Sequence, residues 1–167
     1  HEVVETGIPG KVGLGAEPRA LLEAGALLAN VGITISHTKH HKHSYYVIRN
    51  TDQLVGFTDR EIEVVALIAR YHRKSAPKSS HTEWAALGDE DQELVRVAAA
   101  ALRVAIGLDR SRSRRVAGLK VTDEGDRVVI EVVPSSPEAD VSLETWAAGE
   151  RTALLAEVLG VPVEVGT

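Results

Sequence analysis

The sequence predicts a mostly α-helical protein in two parts, a helical domain over residues 17–114 and a small α/β unit of ββαβ order over residues 115–167. Three observations predict it. Apolar residues recur at helical spacing from Leu21 to Ala105, start and stop signals punctuate that span, and beyond Arg114 the apolar period falls to two.

Residues 1–16 carry Gly7, Pro9, Gly10, Gly13 and Gly15, enough breakers to predict a loop or linker. A first helix follows, with Pro18 in its first turn, where a missing N–H costs little, and Gly32 as its stop. Leu21, Leu22, Leu28 and Val31, with small Ala24 and Gly25, give it a broad apolar face and predict burial. A second helix is predicted from about Lys39 to Asn50. Helical spacing there sets His37, His41, Ser44 and Ile48 along one face, with His40 and His43 flanking Val47.

The third helix has the strongest start signal. Thr58 and Glu61 form a capping-box pair, and Phe57 and Ile62 occupy the staple positions. Ile62, Val65 and Ala69 share one side, with Val64, Ile68 and Tyr71 beside them, and Pro77 closes the segment. A long helix through Leu108 is expected next, capped by Asp89 with Gln92 and buried along Leu94, Val97, Ala98, Ala101, Leu102 and Ala105. Leu119 and Val121, a polar turn over 123–126, and Val128, Ile130 and Val132 then alternate as a hairpin. Trp146, Leu154, Leu155 and Val158 predict one helix stopped by Gly160, and Val161 to Val165 a last strand.

Composition narrows the function. At 167 residues with 44% hydrophobic and 26% charged side chains, the chain can bury a real core. It has no cysteine, which excludes disulfides and thiolate metal sites. No apolar run reaches membrane-spanning length and no secretory leader is visible, so a cytoplasmic protein without membrane contact is expected. The chain opens on His1 and contains no methionine, so a processed product or a fragment is expected in place of an intact translated start.

Charge is segregated. No Asp or Glu lies between Glu23 and Asp52, between Glu63 and Glu83, or between Asp109 and Asp123. Those three windows nevertheless hold twelve of the 19 Lys and Arg residues, in a chain of formal charge −5. Should they converge, they line a cationic groove on an acidic body, a surface that attracts a polyanion.

The first window concentrates His37, His40, His41 and His43 around Lys39 and Lys42. Clustered imidazoles first bring a metal to mind. A hydrolytic metal site also needs carboxylates to balance the cation and activate water, and none is present beside these lysines. No metal site is therefore assigned. A phosphate-rich anion suits the stretch: an imidazole donates to phosphate oxygens, and more strongly once protonated, lysine adds mobile charge, and arginine a planar fork. The residues expected to bind it are His40, His41, Lys42, His43, Arg49, Arg70, His72, Arg73, Lys74, Arg110 and Arg112. Nucleic acid is disfavoured because only Tyr45, Tyr46 and Tyr71 lie near the basic windows, too few for base stacking. No catalytic residue is assigned. P-loop, nucleophile-elbow and dinucleotide-glycine patterns are all absent.

Leu27–Gly32 (LLANVG), His40–Asn50 (HHKHSYYVIRN), Ala69–Ser75 (ARYHRKS) and Leu108–Arg112 (LDRSR) resemble, in order and spacing, the C-terminal part of the exopolyphosphatase / guanosine pentaphosphate phosphohydrolase family. The likeness covers about residues 17–165. It implies a helical domain related to HD phosphohydrolases, followed by a small α/β domain. Catalysis would reside in N-terminal actin-like domains that bind magnesium, leaving no cofactor on this chain. It further implies that this region holds inorganic polyphosphate and forms a homodimer. The sequence departs from the HD pattern at Ala29 and Asn30, where a His-Asp or His-Glu pair would stand. A methyl group and an amide cannot replace metal-bridging ligands. A degenerate metal-dependent phosphohydrolase and a purely structural dimerisation domain are the alternatives.

Overall fold

A computed structural model describes residues 16–167. Helix α1 (Ala16–Leu28) leads into a 3-10 turn (Val31–Thr34), then α2 (His40–Arg49), α3 (Asp59–Tyr71), the short α4 (Thr82–Ala85) and α5 (Asp89–Leu108). Strands β1 (Val116–Asp123) and β2 (Val128–Pro134) follow, then α6 (Ser142–Gly149), α7 (Ala153–Leu159) and β3 (Val163–Gly166). This is the mostly helical arrangement with a small α/β part. The loop expected over residues 1–16 lies outside the described residues, apart from Ala16, where α1 begins. No helix among the described residues is long and apolar enough to cross a membrane.

The chain divides into two compact units between Leu102 and Arg103. In the first, α3 is the centre. Val64, Val65, Ala66, Leu67, Ile68 and Ala69 are all buried in succession, so the helix is covered on every side. Its start carries the full capping box: the Thr58 hydroxyl accepts from Glu61 N–H, and the Glu61 carboxylate accepts from Thr58 N–H. Such burial contributes roughly 1.5–3 kcal/mol for each large apolar side chain.

Three of the expected faces are met in part. On α1 and its extension, Leu21, Gly25 and Ala29 are buried, while Leu22, Leu28 and Val31 are only half-buried. Helix α1 stops at Leu28 rather than at Gly32. Gly32 instead lets the backbone of α2 approach: a Cβ there would stand 2.2 Å from Ser44 N and 2.3 Å from the His40 carbonyl oxygen. On α2 the buried face is His40, Ser44 and Ile48, because His37 precedes the helix and is exposed. On α5 Val97, Ala98 and Leu102 of the expected stripe are buried together with Val95 and Ala99, while Ala105 is exposed. In each case two faces had similar apolar content, and tertiary contact chose between them. The cap expected from Asp89 is also different. Asp89 is the first residue of α5, and Gln92 Nε2 donates to the Trp84 and Leu87 carbonyls.

In the second unit β2 is central, antiparallel to β1 and parallel to β3. The register pairs Leu119 with Val132 and Val121 with Ile130, as the alternation predicts. Val128, Ile130 and Val163 pack with Val104 and Ala148. Gly107 permits the close passage of α5 over α6, since a Cβ would lie 2.6 Å from the Ala147 carbonyl oxygen. The single helix expected before β3 is two, giving ββααβ. The chain breaks after Gly149, where the Thr152 hydroxyl donates to the Gly149 carbonyl and the Arg151 guanidinium donates to the Ala147 carbonyl.

Candidate functional site

Helix α2 packs on α3, and the start of one lies beside the end of the other. The His40 ring stacks on His72, with centroids 5.4 Å apart and planes 29° apart, and both residues are buried. His41 stands edge-on to His40 at 6.2 Å. Arg73 brings its NH1 to 3.3 Å from His40 Nδ1 and 3.4 Å from Nε2. The first two carboxylate-free windows therefore share one pole of this unit.

Backbone contacts fix the imidazoles. A carbonyl can only accept, so His40 Nδ1 donates to the His37 carbonyl at 3.1 Å and His72 Nδ1 to the Ala69 carbonyl at 2.6 Å. His41 differs. Its Nδ1 is buried with no hydrogen-bond partner. Burial above all, then the charges of Arg73, His72, His40 and Lys42, hold its pKa down to about 4. No acid counters them. Burial first, then Arg70 and Lys78, lower the pKa of His81 against an opposing effect of Glu83, with Lys42 adding the least.

Helix α2 begins without any side-chain cap and without an acid in its first turn, and its N-cap residue, Lys39, sits at φ +57°. Lys74, just past α3, sits at φ +63°, and Arg112 and Arg114 at +55° and +52°. Among the described residues, these four cations are the only non-glycines in that region. Such backbone costs on the order of 1–3 kcal/mol each and clusters at binding sites.

The predicted residues fall into three groups. His40, His41, Lys42, His72 and Arg73 gather at the pole; Lys74 directly follows Arg73, and His43 is half-buried on the next turn of α2. Lys42 and Arg73 are exposed and make no ion pair among the described residues.

Arg49 and Arg70 form a second group, already neutralised. Arg49 Nε meets Glu63 at 2.7 Å and its NH1 meets Asp59 at 3.0 Å. Tyr45 donates to Glu63 at 2.9 Å. Arg70 NH1 meets Glu83 at 3.0 Å, with its guanidinium 5.5 Å from the Tyr45 ring and 5.6 Å from Tyr71. The Tyr71 hydroxyl is hydrogen-bonded to His81 Nδ1 at 2.8 Å, and burial pushes its pKa up to about 12. Glu63 and Glu83 flank the second window by a single residue on each side. Counting acids inside the window therefore missed the ones that fold back on it.

Arg110 and Arg112 form the third group, in the other unit, exposed on the turn after α5. Buried Glu144 holds that turn, its Oε1 accepting from Ser111 N–H at 3.1 Å. Hydrogen bonding from Ser111, ahead of an opposing burial effect, keeps its carboxyl below the usual range. Nothing in its sequence context marks Glu144 out. Arg115 donates to the Asp140 carbonyl at 3.0 Å.

The position where an HD pair would stand is used for packing. Ala29 is buried and its carbonyl accepts from the Ser44 hydroxyl at 2.7 Å, while Gly32 N–H donates to the same hydroxyl at 3.0 Å. Asn30 is exposed. Among the described residues, no group of three or more His, Asp or Glu is placed to hold a metal ion.

Comparison with known proteins gives a consistent picture. The family model described as Ppx/GppA phosphatase, domain III, matches residues 10–147. The chain is 34% identical over 86 residues to the guanosine-5'-triphosphate,3'-diphosphate pyrophosphatase of Pseudoalteromonas translucida (strain TAC 125). That alignment covers 52% of this chain and 16% of the relative, so the chain spans a small part of that protein's length.

Proposed function

The chain belongs to the Ppx/GppA phosphatase family, with its match to domain III, and from that premise we propose that it is the non-catalytic, polyphosphate-binding and dimerisation region of a cytoplasmic exopolyphosphatase-like hydrolase. The whole protein would cleave terminal phosphoanhydride bonds, with magnesium, in domains outside this chain. The observation that carries the reading is the pole where α2 starts and α3 ends, beside which Glu83 is taken up by Arg70. Imidazoles and two cations that make no ion pair among the described residues converge there, and the strained Lys39 and Lys74 backbones lie at its borders.

An anion at this pole meets donors of three kinds. Arg73 offers a planar fork, Lys42 a mobile charge, and His41 a ring N–H. Arg49 and Arg70 play a different part. Their ion pairs with Glu63, Asp59 and Glu83 brace α2 and the segment after α3, and so position the pole rather than contact the ligand. Arg110 and Arg112 supply further cations on the second unit. Titration with long-chain inorganic polyphosphate at two salt concentrations tests the reading: it requires binding at low salt that weakens steeply as salt rises. Absence of binding at low salt, or binding indifferent to salt, refutes it. Analytical ultracentrifugation of the same protein tests the dimer, and a monomer at every concentration excludes that part.

A further inference from the structure

We propose that anion binding at this pole is coupled to protonation of His41, so that ligand and proton enter together and acid strengthens binding. The inference rests on the polyanion reading above and adds its regulation.

His41 sits in a setting built to keep it neutral until a ligand arrives. Its own helix brings His40 and Lys42 against it, and the end of α3 brings His72 and Arg73. The 3-10 turn packed on α2, Val31–Thr34, carries no titratable group. Every charged or titratable neighbour thus opposes a proton on His41, and burial opposes it further. Burial and these neighbours together hold the ring's pKa down to about 4, which favours the neutral imidazole. Its buried Nδ1 lacks a partner.

A phosphate or sulfate group beside Arg73 and Lys42 offsets the largest of the opposing charges, that of Arg73, and the smaller one of Lys42. The imidazole then gains a proton and becomes a donor to the same anion. Proton uptake on binding means that affinity falls as pH rises, by up to about tenfold in Kd per pH unit for one proton. His40 and His72 each commit Nδ1 to a backbone carbonyl, whereas His41, edge-on to His40, has no such bond among the described residues, and with its Nδ1 buried the other ring nitrogen is the one that faces an anion.

The test is calorimetric titration of the chain with dextran sulfate, whose sulfates stay ionised throughout, near pH ~6 in two buffers of different ionisation heat. The difference in observed heat between buffers reports protons taken up. The proposal predicts net uptake by the wild-type chain and a smaller uptake by His41→Gln, which still binds. Binding without proton uptake, or equal uptake by the two proteins, overturns the coupling and leaves the polyanion reading standing. Absence of any binding at low salt overturns both. Circular dichroism of His41→Gln separates a misfolded variant from a folded one. Should His41→Gln prove misfolded, the wild-type heat difference alone decides, zero uptake overturning the proposal.

Discussion

Replacing Ser44 by alanine tests how the pole is anchored. Ser44 is completely buried at the middle of the inner face of α2. Its hydroxyl donates to the Ala29 carbonyl at 2.7 Å and accepts from Gly32 N–H at 3.0 Å. Alanine fits the space but strands one acceptor and one donor where water cannot reach them. Each stranded group costs roughly 1–3 kcal/mol, and allowing for some relaxation the pair should cost about 2–4 kcal/mol. Urea unfolding followed by circular dichroism measures this as a lower midpoint at unchanged slope. Exposed Ser79→Ala is the control, expected within ~0.5 kcal/mol of wild type. A Ser44→Ala loss no larger than that control would refute the claim that this hydroxyl ties α2 to the preceding turn.

Other outcomes follow from the same geometry. His41 binds a proton less readily folded (pKa about 4) than unfolded (6.5), so the unfolded chain holds more protons between those values and stability falls as pH drops through that window. Solvent around the half-buried ring screens the effect to below the ~1.4 kcal/mol per pH unit of an unscreened shift, and His41→Gln should flatten that part of the stability curve relative to wild type. Thr58→Ala removes the side-chain half of the capping box and should cost about 1 kcal/mol in denaturant unfolding. Glu144→Ala leaves the Ser111 N–H without its acceptor and opens space beside it. It should cost at least ~1–3 kcal/mol and speed hydrogen exchange at Ser111. An unchanged exchange rate there would contradict the role given to Glu144.

Much of this fold was legible in the sequence because its signals are local. The Thr58–Glu61 box and the alternation of Val128, Ile130 and Val132 each depend on neighbours within four residues, whereas α3 ends at Tyr71, well before the breaker at Pro77. What the sequence could not supply is the choice between two apolar faces. Ala29, Ser44 and Val95 are inward because other elements press on them, and a helical wheel of α1, α2 or α5 alone does not show which side that will be. The site follows the same division. The absence of acids from residues 24–51 and 64–82 marked both windows, and the α2–α3 packing brings them to one pole. The acids that silence Arg49 and Arg70 come from just outside those windows. The anchoring carboxylate of Glu144 is 33 residues from the turn that it holds. The positive φ of Lys39 and Lys74 is a tertiary result as well, since lysine has no local preference for that region.

The most direct measurement is the slope of log Kd against log salt for long-chain polyphosphate, compared between the wild-type chain, Arg73→Ala and Arg60→Ala. Arg60 is bound to Asp91 and Glu17 and lies outside the acid-free windows. The account predicts a steep slope for wild type and Arg60→Ala. For Arg73→Ala it predicts weaker binding and a slope shallower by about 0.7–1, because one phosphate no longer meets a cation. Identical slopes and affinities for all three proteins would contradict it.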